Sequence, residues 1–377
     1  MNFYLIAGEA SGDARAAEVM RHLAALAEAR GEPARFFGAG GPKMRALGPE
    51  IEDWSGEAVL GLWDVLKKYP YFRRKFAAML REIGERKPDA VVLVDYPGFN
   101  LRMAKAVKRR YRGQRVIYYV SPQVWAWNRR RIPQMARTLD LMLCIFPFEK
   151  ALYEKSGLKT EFVGHPLLDA LAPEKARAEA RAEARAETLV GLFPGSRTKE
   201  VSRIFPLMLQ TAKILRQARP ELRFEAAAAS EPLAATMRAM AAGVEIDIHV
   251  GGAHGLMNRA AAGMVTSGTA TLEATFFGLP FVLVYSVAPV TWVIGKWLVR
   301  VPFLGISNIL AGREIVREFL QKDADPSAMA DELLSMLNNP EKRAAQQAEF
   351  RRVIEGLGPG GASLRAARAI VAELRGA

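Results

Sequence analysis

The sequence contains a single cysteine, Cys144, among 377 residues. One cysteine cannot form an internal disulfide bond, so nothing in the sequence indicates an oxidising compartment. Cys144 lies in an apolar run at residues 141–145. A thiol in such a run is expected to pack in a core, because a reactive thiolate needs a polar, cationic setting.

The sequence also lacks an unbroken hydrophobic stretch. The longest stretch without charge lies between Glu273 and Lys296 and has the length of a bilayer span, about 20 residues. Pro280 and Pro289 divide it into a helix end, a buried strand and the start of a second helix. The amino terminus has no basic region before its apolar residues and reaches Glu9 almost at once, so no signal peptide is expected. We therefore expect a soluble chain.

Acidic residues are outnumbered: 53 lysines and arginines against 40 aspartates and glutamates give a formal net charge of +13. This excess indicates anionic partners, which are nucleic acid, phosphorylated metabolites or an anionic membrane, although solubility alone is another explanation. The first half of the chain carries basic clusters at 67–68, 73–75, 108–110 and 129–131. Several clusters in one half favour a binding surface over a uniformly solvated one.

Apolar runs alternate with helical patterns along both halves of the chain. The predicted strands are 3–7, 35–37, 90–94, 116–120 and 139–146 in the first half, and 189–193, 223–227, 246–250, 263–266 and 281–284 in the second. Continuous apolar strands separated by helices predict a parallel sheet covered on both faces. The expected fold class is α/β, with two facing Rossmann-like, doubly wound parallel-sheet domains.

The domain boundary is predicted at an alanine-, arginine- and glutamate-rich segment, 173–187. Its i,i+4 pairs carry like charges, which costs a few tenths of a kcal/mol each, but alanine still favours a helix. We interpret the segment as an exposed helical spacer, although its arginine stripe could also contact nucleic acid. The predicted division is a first domain at 1–170, a spacer at 171–188 and a second domain at 189–344, with a C-terminal helix at 345–377 returning to the first domain.

Ligands of open α/β sheets bind at the carboxyl ends of the strands, so the loops that follow strands hold the candidate site. Residues 8–13 (Gly-Glu-Ala-Ser-Gly-Asp) follow the first strand and open a helix. The acidic Glu9 and Asp13 suit a sugar hydroxyl better than a phosphate. The alternative is a helix start capped by Ser11 or Asp13. The loop lacks the glycine spacing of a dinucleotide site, so a nicotinamide enzyme is excluded.

Asp95 directly follows the strand at 90–94 and precedes a proline turn. Partial burial would raise its pKa and make it a better proton acceptor, so Asp95 is a candidate general base. The alternative is an aspartate that only shapes the turn.

Residues 121–131 combine two tryptophans with three arginines. They form either a stacking and phosphate platform or a hydrophobic lid. A third hypothesis is that the tryptophans stack on the bases of single-stranded RNA. A single stacking platform, with no repeated aromatic and basic module, does not predict an RNA-binding protein.

Two turns of the second half suit phosphate. Residues 194–197 (Pro-Gly-Ser-Arg) follow a strand and place a hydroxyl and a guanidinium in one tight turn. Residues 266–273 (Thr-Ser-Gly-Thr-Ala-Thr-Leu-Glu) open a helix whose N-terminal amides favour an anion. Glu273 lies one turn further along and could accept hydrogen bonds from ribose hydroxyls.

Seven segments, in order along nearly the whole chain, resemble the lipid A disaccharide synthase family. They are 8–13, 121–127 (Ser-Pro-Gln-Val-Trp-Ala-Trp), 146–149 (Phe-Pro-Phe-Glu), 162–166 (Phe-Val-Gly-His-Pro), 194–197, 267–273 and 308–314 (Asn-Ile-Leu-Ala-Gly-Arg-Glu). The resemblance implies a glycosyltransferase of the GT-B type. Such an enzyme joins UDP-2,3-diacylglucosamine to 2,3-diacylglucosamine 1-phosphate, inverts the anomeric centre, forms a β-1,6 linkage and releases UDP.

The resemblance also implies roles for individual residues. Asp95 is the first choice for the base and Glu9 the acceptor-side alternative, while Gly98 stands where some relatives carry a second acid. The implied substrate-binding residues are Ser11, Gly12, Asn100, Ser121 and Trp125. The implied UDP-binding residues are Ser196, Arg197, Ser267, Gly268, Thr269, Glu273, Asn308, Arg313 and Glu314.

No cofactor and no metal are implied, and we interpret the one Asp-x-Asp match, Asp323 to Asp325, as a helix cap.

Lipid substrates suggest peripheral contact with an anionic membrane, on the cytoplasmic side of the inner membrane, and the family suggests a homodimer. The residues expected to contact acyl chains are Val59, Leu60, Leu62, Trp63 and Leu66. A second apolar segment that contains tryptophan, at 290–300, is either an interfacial helix or a core helix.

Other readings are another UDP-sugar transferase or an epimerase of the same fold, and a non-catalytic protein that binds a sugar nucleotide or RNA. Asp95 together with Glu9 favours catalysis. The absence of repeated aromatic and basic modules argues against nucleic acid as a partner.

Overall fold

The computed structural model describes residues 1–54, 62–180, 185–289, 292, 295, 297 and 301–376. The chain divides into two compact units. Unit 1 contains Met1–Pro166 and Leu357–Ala377, and unit 2 contains Leu167–Gly356. Each unit has a parallel sheet with helices between successive strands, as the alternation of apolar runs and helical patterns predicts.

Unit 1 is built on a seven-stranded sheet in the order β3-β2-β1-β4-β5-β6-β7. Its strands are β1 (Asn2–Ala7), β2 (Arg35–Gly40), β3 (Glu50–Asp53), β4 (Ala90–Val94), β5 (Val116–Tyr119), β6 (Leu141–Cys144) and β7 (Thr160–Phe162). The sequence pattern missed β3 and β7, which lie at the two edges. Such strands are only partly buried and therefore lack a continuous apolar run.

The helices of unit 1 cover both faces of this sheet, and Cys144 is buried in it as expected. The described helices are α1 (Ala10–Glu28), α2 (Pro42–Arg45), α3 (Leu62–Arg86), α4 (Pro97–Arg110), α5 (Val124–Trp127), α6 (Ile132–Thr138) and α7 (Pro147–Glu154).

Unit 2 is built on a six-stranded parallel sheet in the order β10-β9-β8-β11-β12-β13. Its strands are β8 (Ala186–Phe193), β9 (Arg223–Ala228), β10 (Asp247–Val250), β11 (Ala260–Thr266), β12 (Phe281–Tyr285) and β13 (Glu318–Leu320). Its described helices are α8 (Pro166–Ala180), α9 (Thr198–Ala218), α10 (Glu231–Met240), α11 (Ala253–Arg259), α12 (Thr269–Phe276), α13 (Ile306–Ala311), α14 (Pro326–Asn338) and α15 (Pro340–Gly356).

The domain limits differ from the predicted ones. The first boundary falls at residue 166 instead of 170. The predicted C-terminal helix at 345–377 is two helices, because Leu357–Gly361 breaks it: α15 belongs to unit 2, and α16 (Ala362–Arg375) returns to unit 1 and packs on α1. The Ser363 hydroxyl donates to the Glu18 carboxylate there, at 3.0 Å.

The predicted spacer at 171–188 is also only partly a helical spacer, because α8 begins at Pro166 and strand β8 begins at Ala186. Arg185 is not an exposed spacer residue. Its guanidinium donates to the carbonyls of Met257, Ala260 and Phe277 at 2.8, 2.7 and 2.5 Å, and burial lowers its pKa to about 10. Arg185 therefore ties the start of β8 to the neighbouring elements.

No helix among the described residues has both the length and the apolar character that a membrane crossing requires. Val59 and Leu60, which the sequence predicts to contact acyl chains, lie outside the described residues. The side chains of Leu62, Trp63 and Leu66 lie outside them as well. Most of the segment at 290–300 is also outside, but Trp297 is described and is 83% exposed.

Candidate active site

Each sheet has one switch point, where two neighbouring strands connect to strands on opposite sides of the sheet. In unit 1 this point lies between β1, which leads to β2, and β4, which leads to β5. In unit 2 it lies between β8, which leads to β9, and β11, which leads to β12. Ligands of open α/β sheets bind in the crevice outside such a switch point. The four candidate loops at 8–13, 95–100, 194–197 and 267–269 all follow these four strands.

Asp95 lies at the carboxyl end of β4 in an unusual backbone conformation. Asp95 and Tyr96 are both left-handed, with φ values of 51° and 48°. Such a conformation costs about 1–3 kcal/mol per residue unless its surroundings hold it. The Asp95 amide donates to the Tyr119 carbonyl at 3.0 Å, and the Asp95 carbonyl accepts from Tyr118 at 2.5 Å. These contacts fix the aspartate at the crevice, as a reacting group requires.

The Asp95 carboxylate faces one cation, Arg15 of α1, at 3.5 Å. Its side chain is 32% exposed, so solvent and a substrate can reach it. Burial raises the pKa of Asp95 above its ordinary value, and Arg15 opposes this rise. A partly desolvated carboxylate with a raised pKa is a better proton acceptor, and the neighbouring arginine favours its ionised form. The sequence predicted Asp95 but gave no signal for Arg15.

Asn100, which the sequence predicted to bind substrate, supports this turn from inside, and its Oδ1 atom has no hydrogen-bond partner within the described residues. It is fully buried in α4, and its side-chain amide donates to the carbonyls of Ile6, Val94 and Asp95 at 3.3, 3.2 and 2.8 Å. These carbonyls belong to the ends of β1 and β4 and to the Asp95 turn itself. Asn100 therefore anchors the Asp95 turn to the ends of β1 and β4.

The loop at 8–13 leaves Glu9 and Ser11 exposed at the crevice, while Gly12 is buried. Neither exposed side chain caps α1. Gly8 allows close packing: a Cβ atom there would lie 2.4 Å from the Tyr96 ring. Asp13 is a helix cap, but of α2: its buried carboxylate accepts from the amides of Gly41, Lys43 and Met44 at 2.9, 3.1 and 2.9 Å. The structure thus leaves Glu9 and Ser11 accessible and removes Asp13 from the candidate ligand contacts.

Ser121 and Trp125, predicted to bind substrate, are buried around a carboxylate that the sequence analysis did not single out. The Ser121 hydroxyl donates to Glu149 at 2.6 Å and the Trp125 indole donates to it at 2.8 Å. Glu149 is completely buried, and burial raises its pKa to about 7, although these hydrogen bonds and those from the Phe146 and Ile145 amides oppose the rise. The two residues therefore anchor the 121–127 loop from inside.

The exposed part of the same loop differs from its buried anchor. Trp127 is 44% exposed, and the guanidinium of Arg131 lies 5.1 Å from the centre of its ring. Arg131 and Arg102 also line a cavity of about 170 Å³ between α4 and α6, and Pro97 is another of its lining residues. Of the two tryptophans, only Trp127 is available as a platform.

Unit 2 has a cavity of about 390 Å³ at its switch point. It is formed by the loops after β8 and β11 and by the first residues of α11. Six of the predicted nucleotide-binding residues line it together: Ser196, Arg197, Ser267, Gly268, Thr269 and Glu273. The side chain of Arg197 is 75% exposed and lies 3.4 Å from Glu200. The two turns that the sequence predicted to hold UDP therefore line the same cavity.

Two glycines give this cavity its backbone surface. Gly268 precedes α12 with a φ of 140°, a conformation that favours glycine, and a Cβ atom there would meet nothing within 4 Å. Gly195 has a φ of 109°, and a Cβ atom there would lie 2.7 Å from Glu200 and 3.2 Å from Thr266. The buried Thr266 hydroxyl, on a residue that lines the cavity, has no hydrogen-bond partner within the described protein. Helix amides and an unpaired hydroxyl are suited to an anionic ligand.

Glu273 lines the cavity, and its carboxylate also contacts a histidine that no sequence motif indicated. His254 of α11 places its Nε2 atom 3.5 Å from the Glu273 carboxylate and its Nδ1 atom 2.7 Å from Glu174 of α8. The histidine ring stacks on Phe277 with 5.4 Å between ring centres.

The three remaining predicted nucleotide-binding residues do not line this cavity. Asn308 is fully buried and satisfied: it donates to the Val316 carbonyl and Glu318, both at 2.8 Å, and accepts from the amides of Ile315 and Val316. Arg313 pairs with Glu349 at 2.5 Å, and Glu314 is exposed on the same loop. Asn308 is thus a structural residue that shapes the 308–318 segment, contrary to the prediction.

The Asp-x-Asp match is a helix cap, as the sequence analysis expected. Asp325 accepts from the Ala328 amide at 2.9 Å and begins α14. Among the described residues, no three histidine, cysteine, aspartate or glutamate side chains gather as a group that could hold a metal ion.

Known proteins resemble this chain over its whole length. The sequence model of the family described as lipid-A-disaccharide synthetase matches residues 3–371. The lipid-A-disaccharide synthase of Geobacter metallireducens is 40% identical over 379 residues, which cover 99% of this chain and 97% of that protein.

Two solved structures show the shared fold. The UDP-GlcNAc 2-epimerase of Neisseria meningitidis, bound to UDP-GlcNAc, has a TM-score of 0.64 at 13% identity, over 99% of this chain and 100% of that chain. MurG of Acinetobacter baumannii has a TM-score of 0.58 at 13% identity, over 98% and 99%. These likenesses place the fold among GT-B glycosyltransferases and epimerases, and the sequence match is the more specific finding. The chain therefore belongs to the lipid-A-disaccharide synthetase family of glycosyltransferases.

Proposed function

We propose that the chain transfers a 2,3-diacylglucosaminyl group from UDP to the 6-hydroxyl of 2,3-diacylglucosamine 1-phosphate. The products are a β-1,6-linked disaccharide 1-phosphate and UDP. The observation that carries the proposal is the cavity at the switch point of unit 2, because it assembles six residues from two family motifs into one anion-suited site.

The donor half of the proposal rests on the groups around this cavity. The amides at the start of α12 and the guanidinium of Arg197 offer positive potential to a diphosphate. The carboxylate of Glu273 can accept from ribose hydroxyls. When the bond from the anomeric carbon to UDP breaks, the electron pair goes to a phosphate oxygen. Donors already aimed at that oxygen stabilise the leaving group.

The acceptor half assigns the base to Asp95. As the acceptor 6-hydroxyl oxygen bonds to the anomeric carbon, its proton passes to the Asp95 carboxylate, and attack opposite to UDP inverts the centre. The raised pKa of Asp95 makes it a stronger base, while Arg15 favours its ionised form. The rate should therefore fall as the pH falls through this pKa. Arg102 and Arg131 line the cavity to which Pro97, two residues after Asp95, also contributes. They are candidates for binding the acceptor phosphate.

The test is to mix the purified chain with the acylated donor and acceptor and measure disaccharide and UDP. Asp95→Asn should lower turnover at least a hundredfold, the lower range for loss of a general base, with UDP affinity unchanged. Asp89→Asn is the matched control, because Asp89 is exposed at the opposite end of the same strand. Near-normal turnover by Asp95→Asn would remove Asp95 as the base and leave Glu9. An epimerised UDP-sugar in place of disaccharide would overturn the function.

Membrane contact is a further part of the proposal, supported by the lipid nature of the substrates and by the sequence of the first half. The apolar residues that the sequence predicts to contact acyl chains precede the exposed Arg73 and Arg74 of α3. Apolar residues edged by cations suit the interface of an anionic bilayer. We expect the chain to act peripherally at the cytoplasmic face of the inner membrane.

Sedimentation with vesicles containing phosphatidylglycerol tests this contact. The chain should pellet with them at low salt and less at high salt, because screening weakens surface attraction. The double variant Arg73→Ala, Arg74→Ala should pellet less than the matched pair Arg109→Ala, Arg110→Ala, which lies on α4. Absence from the pellet at every salt concentration would contradict the proposal. The homodimer and the independence from metal and cofactor stay predictions.

A further inference from the structure

His254 lies between two carboxylates that come from different elements of unit 2. Its Nδ1 atom is 2.7 Å from Glu174 of α8, and its Nε2 atom is 3.5 Å from Glu273 of α12. The imidazole side chain is 29% exposed and the Glu273 side chain 21% exposed. The contacts form a chain from α8 to the wall of the cavity, to which Glu273 contributes and Glu174 does not.

The surroundings of the imidazole hold it in this place. Its ring stacks on Phe277, which directly follows α12. Two cations pack nearby, but both are bound elsewhere: the Lys175 ammonium donates to the Phe276 carbonyl, and Arg185 donates to three carbonyls. Within the part of the chain that the structure describes, the two carboxylates are the charged groups in contact with the ring. A histidine fixed by a stack and two acids has little freedom to leave its position.

The charge of the ring decides what it does to Glu273. A neutral imidazole has one N–H, so it can donate to only one of the two carboxylates, whereas the protonated ring donates to both. Hydrogen bonding to Glu273 is the largest influence on His254 and raises its pKa, with Glu174 acting in the same direction and burial opposing them. His254 contacts the Oε2 atom of Glu273.

We propose that His254 is a positioning residue for nucleotide binding, which in its protonated form bridges Glu174 and Glu273 and holds the Glu273 carboxylate toward the ribose hydroxyls. The proposal rests on the assignment of the unit 2 cavity to UDP. It adds a residue that acts through Glu273 without touching the ligand. It also gives α8, through Glu174, a part in nucleotide affinity.

The sign of the pH effect follows from the raised pKa. Below the ordinary histidine pKa of 6.5 the ring is charged and the bridge is complete. As the pH rises through the raised pKa in the folded chain, the ring loses its second donor and the bridge opens. Nucleotide affinity should therefore be highest at the acidic end of the neutral range and fall as the pH rises.

Binding of UDP-N-acetylglucosamine between pH 6 and pH 8.5, measured by calorimetry, tests the proposal. This probe is suitable because both of its phosphates are diesters with no ionisation near neutrality, unlike free UDP. The wild-type affinity should fall about three- to tenfold over this range, the effect of one net hydrogen bond. His254→Gln should bind at the weak, high-pH level throughout. Glu174→Gln should move the fall to lower pH, because it removes one of the two acids that raise the pKa of His254.

The matched control is His249→Gln, because His249 is a second histidine of the same unit, on β10, 59% exposed and 3.8 Å from Glu225. Its variant should keep the wild-type pH profile. A wild-type affinity that does not change with pH, or a His254→Gln profile identical to the wild type, would overturn the proposal. If His254→Gln does not fold, an unshifted profile for Glu174→Gln has the same meaning. A wild-type chain that binds no nucleotide at any pH would instead refute the proposed function.

Discussion

Asn100→Ala is the substitution that most directly tests how the fold prepares Asp95. Asn100 is fully buried, and its amide group donates to carbonyls at the end of β1, the end of β4 and the Asp95 turn. Alanine keeps the helix, because it has the highest helix propensity, and removes only the polar group. The change therefore separates the support of Asp95 from Asp95 itself.

The expected loss of stability follows from the contacts. One side-chain amide has two N–H groups, so at most two of the three contacts at 2.8, 3.2 and 3.3 Å are full hydrogen bonds. Each contributes about 1 kcal/mol net, so the free energy of unfolding should fall by about 2 kcal/mol. The left-handed Asp95 and Tyr96 would also lose a restraint. A displacement of about 1 Å at a reacting group can cost about a hundredfold in rate.

The assay combines urea denaturation with steady-state kinetics of disaccharide formation. Asn100→Ala should lower both the denaturation midpoint and kcat, with little change in the KM for the donor, because the donor cavity belongs to unit 2. Val107→Ala is the matched control: Val107 is buried on the same helix, and its truncation lowers stability by creating a cavity without touching the Asp95 turn. It should leave kcat nearly unchanged at a temperature where both variants are folded.

Two results would contradict this role of Asn100. If Asn100→Ala loses stability but keeps wild-type kcat, Asn100 is a structural residue only and the Asp95 turn needs no support from it. If Val107→Ala loses as much kcat as Asn100→Ala, the rate follows general stability and not the placement of Asp95.

Two further predictions concern a charged group in each unit. Arg197→Ala should weaken UDP-sugar binding about tenfold or more with little change in stability, because its side chain is 75% exposed and charge-assisted bonds to phosphate are strong; unchanged affinity in calorimetry would remove Arg197 from the site. Glu149 should make stability depend on pH, because burial raises its pKa from 4.5 to about 7. Between these values the folded chain keeps a proton that the unfolded chain releases, so the free energy of unfolding should fall by up to about 3 kcal/mol as the pH rises. Denaturation of Glu149→Gln should lack this fall, and an unaltered pH profile would contradict the assignment.

Much of the fold was predictable because buried parallel strands are continuous apolar runs. The run at 90–94 is a strand with the predicted bounds, and every residue in it is buried. The edge strands β3, β7 and β13 were missed because part of each contacts solvent, so their residues are mixed. The start of β8 was taken for part of a helical spacer, because an alanine- and glutamate-rich sequence favours a helix locally. Arg185, bonded to three carbonyls, shows that tertiary contacts determine that stretch.

The candidate site divides in the same way. Loops after buried strands could be placed at the crevice from the sequence, since parallel strands bring their carboxyl ends to one edge. The sequence could not predict whether a polar side chain in such a loop points into the crevice or into the protein. Asn100, Ser121, Trp125 and Asn308 look like ligand contacts in their motifs, yet all four are buried and bind protein groups.

The sequence alone indicates the family and the two parallel-sheet domains, because ordered motifs and apolar periodicity are local properties of a chain. It also makes Asp95 and the two phosphate-suited turns candidates for the site. Which polar residues support the candidate site from inside depends on the packing of elements that are distant in the sequence. Arg15 beside Asp95, Glu149 under the 121–127 loop and His254 behind Glu273 are distant in the chain from the groups they contact, or carry no motif of their own. A side chain's partner depends on which elements the sheet order brings together, and that order is fixed by the packing of the whole unit.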